Sequence, residues 1–176
     1  MTDVMEIRHD EGTEEERNKA ICRAGIEAVL NAGDPTARLS EFFVDDVLVH
    51  TTHEPEPLRG IAAFAHLQRM IHSAFPDIHY ELQDMVAEGD KVVERFVMTG
   101  THTGEYFGFP PTGRRFCIAE LIVLRFEEGK AVEVWPLPDL LGQMQQIGMV
   151  PSGPPPKGML LVMGLMSRLA ARRRRR

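Results

Sequence analysis

Long hydrophobic runs are missing from this sequence: no stretch reaches the roughly 18 apolar residues that span a bilayer. Cysteine is scarce too. Cys22 and Cys117 are the only two, too few for a disulfide-stapled scaffold, and they are expected to be free thiols in a reducing compartment. The opening residues MTDVMEIRHDEGTEEER are acidic and lack the apolar core of a signal peptide, so the expected location is the cytoplasm. The sequence has no P-loop, dinucleotide glycine fingerprint, nucleophile elbow or zinc motif. His50 and His53, in the segment HTTH beside Glu54, lack a third ligand at a recognisable spacing. No cofactor and no metal are expected.

Basic residues are few in the body of the chain. The net charge is −6, but residues 157–176 hold Lys157, Arg168 and Arg172–Arg176 with no acid, so the preceding part carries −13. An acidic body excludes nucleic acid as the main partner. After the proline-rich PSGPPPKG (151–158), a Met- and Leu-rich stretch runs into the five arginines. It reads as a solvated tail, with weak contact to a membrane surface as the alternative.

What is present organises as one domain at 13–150, between a disordered lead (1–12) and the linker and tail (151–176). Thr13-Glu-Glu-Glu16 is a capping signal for a first helix, with Ile21, Ala24, Gly25, Ala28 and Val29 on its apolar face. Pro35 suits the first turn of a short second helix ending near Phe42. A strand at Val47–His50 and a third helix at about Arg59–Phe75 follow. Beyond Pro76 the hydrophobic period becomes two, giving strands at about 78–87, 91–102, 114–126 and 130–137. Turns at Glu88–Lys91 and Glu127–Lys130 make two hairpins, and a Gly- and Pro-rich loop, 103–113, joins them. His102 opens that loop and reads as fixing its backbone. The expected fold is α+β: a conical barrel of a bent antiparallel sheet, three N-terminal helices packed on it, and a short C-terminal closing helix.

Hairpin turns set register, and register sets which side chains share a face. Ala87 opposite Val92 puts Asp84 opposite Arg95, on a face with Tyr80, Leu82 and Val93. That is either a charge pair in a pocket wall or a structural ion pair. Phe126 opposite Ala131 puts Ile122 across from Trp135, and Glu120 on the side of Trp135 and Asp139. Two carboxyls in a poorly solvated site repel, and one retains its proton near neutrality, the condition for general acid–base work. Asp139 is equally a helix N-cap after Pro138, and a one-residue slip at the prolines would reverse the face. His50 ends a strand, either as a hydrogen-bonding group at a cavity mouth or as a structural histidine. The candidate catalytic residues are thus Asp139, His50, Glu120, Arg95 and Asp84. Trp135, Tyr80, His53, Ile122 and Phe64 are the candidate walls for a bulky, apolar, oxygenated small molecule.

Asn31-Ala-Gly-Asp34, the segment Phe43 to His50, Ala74-Phe-Pro-Asp77 and above all TGTHTGEYFGFPPTGRR (99–115) resemble the SnoaL-like polyketide cyclases. So do Arg125-Phe-Glu-Glu-Gly-Lys130 with Glu133 and Trp135, and the closing stretch Asp139–Gly148. The resemblance covers about residues 16–150. It implies the cone fold shared with ketosteroid isomerase and the nuclear transport factor, paired as a homodimer through the outer sheet face. It also implies a cofactor-free aldol condensation that closes a ring in a polyketide methyl ester, with Asp139 shuttling the proton and His50 or Arg95 polarising a carbonyl. Val134 and Pro136 stand where the family often has a histidine and an acid around the tryptophan. The competing expectations are an epoxide hydrolase of the same cone, using Asp84, Arg95 and Asp139, and a non-catalytic binding or dimerisation module.

Overall fold

The computed structural model describes residues 12–52 and 54–153. The lead, the basic tail and His53 fall outside the described residues.

The first helix, α1 (Glu14–Gly25), starts as its sequence directs: the Thr13 hydroxyl accepts from the Glu16 amide at 3.3 Å, and three glutamates sit against the positive end of the helix. It then widens into one π turn, Ile26–Leu30, where the Asn31 amide reaches back to the Ile26 carbonyl at 2.9 Å. Cys22, Ile26 and Val29, spaced four and three residues apart, face inward along it. Asn31 next clamps both backbone groups of Tyr80, donating to its carbonyl at 3.1 Å and accepting from its amide at 2.8 Å.

The second helix is shorter than Pro35 suggests. Asp34 accepts from both the amide and the hydroxyl of Thr36, a local turn that competes with helix, and α2 is the single turn Leu39–Phe42. Two strands follow, β1 (Phe43–Val49) and the short β2 (Leu58–Arg59), then α3 (Ile61–Ala74), β3 (His79–Glu88), β4 (Lys91–Thr101), β5 (Arg115–Glu127), β6 (Lys130–Pro138) and α4 (Leu140–Gln146). They form one curved, unclosed six-stranded sheet in the order β2-β1-β6-β5-β4-β3. The sheet is antiparallel except where β1 runs parallel to β6, a pairing the antiparallel expectation omitted. Val47, Val49, Val92, Phe96 and Ile147 are fully buried between sheet and helices. Phe75, at the end of α3, packs edge-on against Tyr106 and Phe116 at 4.8 and 5.1 Å between ring centres.

Two irregularities decide which side chains reach the interior. On β3, Leu82 pairs with Phe96 but Asp84 with Arg95, leaving Gln83 as an extra residue. On β6, Phe126 pairs with Ala131 but Arg125 with Glu133, leaving Val132 extra. One extra residue inverts the alternation beyond it. Tyr80 and Leu82 therefore point inward while Asp84 and Arg95, though paired as expected, point out to solvent. On β6 the inward positions are Ala131, Val134 and Pro136, and Trp135 faces away from Glu120, which now pairs with Pro138.

Candidate active site

Two cavities lie between the helices and the inner face of the sheet. The inner one, about 730 Å³, is walled by α1, the π turn and α3 on one side and by β4, β5 and β6 on the other. The outer one, about 600 Å³, is bounded by Thr51, Thr52, α3, the loop residues Tyr106 and Phe107, and the start of α4. Glu120 and Tyr80 line both, so they stand where the two cavities meet.

Phe64 of α3 and Ile122 of β5 contribute apolar wall to the inner cavity, which also holds Cys22, Gln68 and Glu94. Glu94 and Glu120 are 3% and 5% exposed, and one oxygen of Glu120 has no hydrogen-bond partner. Loss of solvation, with the nearby charge of Glu94 second, pushes the Glu120 carboxyl up to about 8. Burial likewise raises Glu94 to about 7, opposed by a hydrogen bond with the Cys22 thiol, whose own acidity burial suppresses. Desolvation and then the charge of Glu120 hold the Tyr80 phenol well above its ordinary value. Tyr80 is thus a neutral donor beside a proton-holding carboxyl. Its place is fixed by the Asn31 clamp and by an edge-on contact with Phe96, 5.8 Å between ring centres.

These raised carboxyls link stability to pH. A group that binds its proton more tightly when folded stabilises fully below its ordinary value of 4.5 and loses that contribution as pH rises through about 7 and 8. The melting temperature is expected to fall between pH 6 and pH 9. In calorimetry Glu120→Gln should flatten most of that fall; an equally steep fall in the variant would contradict a proton held at Glu120.

The other candidates are dispersed. Asp84 and Arg95 form an ion pair whose side chains are 59% and 50% exposed, on the outer face and away from both cavities. His50 stacks on Trp135 with 4.8 Å between ring centres and 9° between planes. Its Nε2 lies 3.9 Å from Glu133, which also accepts from Arg125 at 3.0 Å. This cluster lines neither cavity, so His50 is not at the mouth and Trp135 is not the inner wall; for Trp135 the extra residue at Val132 is the cause. Asp139 is exposed and caps α4, accepting from the Gly142 amide at 2.9 Å. Its neighbours Pro138 and Leu140 line the outer cavity, but Asp139 itself lines neither. The carboxyl that neighbours Glu120 is therefore Glu94. Its signal was in the sequence: Val92, Glu94, Phe96 and Met98 alternate on β4, a more apolar set than the face of Val93 and Arg95 read as the pocket wall. Gln143, which accepts from the Tyr106 hydroxyl at 3.4 Å, was missed for want of any local pattern.

Among the described residues no group of His, Cys, Asp and Glu is arranged to hold a metal ion, and no helix is long and apolar enough to cross a membrane.

With this geometry in view, residues 20–147 match the family model of the SnoaL-like polyketide cyclases. The chain belongs to that family. It is 35% identical over 97 residues to the aklanonic acid methyl ester cyclase DnrD of Streptomyces peucetius, covering 54% of this chain and 66% of that one, just under two thirds. It is 30% identical over 115 residues to the nogalonic acid methyl ester cyclase of Streptomyces nogalater, covering 64% and 85%. Among solved structures it superposes on AclR of Streptomyces galilaeus, described as a candidate hydroxylase, with a TM-score of 0.68 at 27% identity, covering 92% and 96%. Family membership thus secures the fold and a polyketide-cyclase kinship, while the names of the proteins it resembles span more than one reaction.

Proposed function

We propose that this family member closes a ring in a bulky, apolar polyketide-like ester by an aldol-type step, with Glu120 as the proton shuttle. The observation that carries the reading is a buried carboxyl with an unpartnered oxygen at the junction of two apolar cavities. The methyl ester cyclases among its relatives support the substrate class. The ionised Glu120 takes the proton from a carbon between two carbonyls, and the resulting enolate carbon attacks a ketone carbon of the same molecule. One carbon–carbon bond forms. The alkoxide oxygen then receives the proton from Glu120, which returns to its starting state. The Tyr80 hydroxyl donates to the oxygen on which charge develops, a preorganised donor in a dry site. Neither water nor an oxidant is consumed, so substrate and product are isomers.

Mass spectrometry after incubation with an anthraquinone-type polyketide methyl ester is expected to show a product of unchanged mass. Incorporation of oxygen from labelled water would point instead to a hydrolase, added oxygen from air to a hydroxylase, and no conversion across such esters to a binding module. The hydrolase reading has lost its geometry, because Asp84 and Arg95 lie outside the cavities.

We further propose that two copies pair through the outer sheet face. Leu121 and Leu137 are direct cross-strand neighbours there, 41% and 47% exposed. Sedimentation is expected to give a dimer that Leu121→Glu with Leu137→Glu dissociates; a monomeric native chain at micromolar concentration would end this proposal.

A further inference from the structure

Among the described residues, three buried side-chain oxygens lack a hydrogen-bond partner: Thr51 Oγ1, Gln68 Oε1 and Glu120 Oε2. All three belong to residues that line the two cavities. They are ordered along the space. Thr51 borders only the outer cavity, Glu120 borders both, and Gln68 borders only the inner one. Buried oxygens in native interiors are almost always paired, and a group left open in an apolar cavity is completed by what enters it.

Gln68 is 5% exposed and sits on the inward stripe of α3 with Phe64 and Ile71. Glu94 and Cys22, its polar companions in the inner cavity, already satisfy one another through the thiol–carboxyl hydrogen bond. Gln68 is therefore left as an acceptor with no donor, at the opposite end from the Thr51 mouth. We propose that Gln68 is a specificity residue that accepts a hydrogen bond from a hydroxyl on the far ring of the substrate. The molecule then enters with its hydroxylated ring first and keeps its ester end toward Thr51. This rests on the reading that the carbon chemistry occurs at Glu120, because that fixes which part of the molecule lies inward.

The test is a matched pair of ligands, 2,6-dihydroxyanthraquinone, whose hydroxyls are clear of the ring carbonyls, and anthraquinone, measured by equilibrium dialysis. The native chain is expected to bind the hydroxylated compound about tenfold more tightly, the effect of one hydrogen bond to a buried acceptor. Gln68→Leu should erase that preference while binding anthraquinone at least as well as the native chain does. Its melting temperature without ligand should hold or rise, because the unpartnered oxygen is gone. The rise sets recognition apart from a structural role, for which Gln68→Leu would lower both stability and anthraquinone binding. No preference in the native chain, a preference that survives Gln68→Leu, or failure of both compounds to bind would each overturn the inference. Glu120→Gln separates it from the catalytic reading. That variant should keep the hydroxyl preference, and if ring closure proves wrong while the preference remains, the subsite stands without it.

Discussion

Glu120→Gln is expected to lower turnover by about 10²–10⁴-fold, the range a positioned acid–base group supplies, with little change in ligand affinity. The amide has the shape of the carboxyl and fills the same 5% exposed position, so the cavity survives and only the proton transfer is lost. The pH profile carries the same information. Since the base must be ionised and its proton is held up to about 8, the native rate should climb as pH rises through that value. Glu94→Gln removes the neighbouring charge that contributes to the raised value, so the rising limb should move to lower pH with the maximum rate largely kept. Asp139→Asn is the counter-experiment. Asparagine caps a helix as well as aspartate does, and Asp139 spends its carboxylate on the Gly142 amide, so this variant should stay within a few-fold of the native rate. If Asp139→Asn abolishes turnover and Glu120→Gln does not, the shuttle is at the rim of the outer cavity and the assignment to Glu120 fails.

Gly104→Ala should have the largest effect on stability. A Cβ there would sit on the Ser73 carbonyl oxygen at the end of α3, backbone that has nowhere to move. The close approach is needed because the amides of Thr103 and Gly104 both donate to the Ala74 carbonyl at 3.0 Å, tying the long loop to that helix. Overpacking of this kind costs about 1–3 kcal/mol, or roughly 5–10 °C in melting temperature for a domain of this size. Function should suffer with it. The tied loop carries Tyr106 and Phe107 into the outer cavity, so KM should rise more than kcat falls. Gly33→Ala, where a Cβ meets nothing within 4 Å, is the matched control and should melt within a degree or two of the native chain. Equal melting temperatures for the two variants would refute the anchoring role.

The sequence showed the fold more readily than the site, and particular residues explain the difference. Helix caps and hairpin turns are local chemistry: Thr13, the two Glu-to-Lys turns and the shift to period two identify the elements from a few adjacent side chains. His102 was legible for the same reason. It is fully buried, accepts from the Thr112 amide at 3.3 Å, and its own amide donates to the Arg114 carbonyl, pinning both ends of its loop. The face assignments failed where they depended on counting across a strand. From each turn the count was correct until Gln83 and Val132 intervened, and neither residue advertises that it is an extra one. The pocket-wall reading of Asp84 with Arg95 and the inward reading of Trp135 fail for that reason, and the structural ion pair, the other reading of Asp84 and Arg95, is the one the structure has. Glu120 escaped the error because β5 pairs with β4 without interruption from Lys91–Arg125 to Thr101–Arg115.

The extra residue at Val132 also governs how relatives should be compared. Deleting it would restore simple alternation along β6 and leave Val134 and Pro136 facing the ligand, whereas pairing it as an ordinary strand residue would turn Trp135 and Leu137 inward. A one-residue gap at this place in an alignment therefore keeps the lining, while a relative of equal length whose strand pairs without the bulge has a different one. Positions after it are better matched by the side of the sheet they occupy than by their distance from a shared tryptophan.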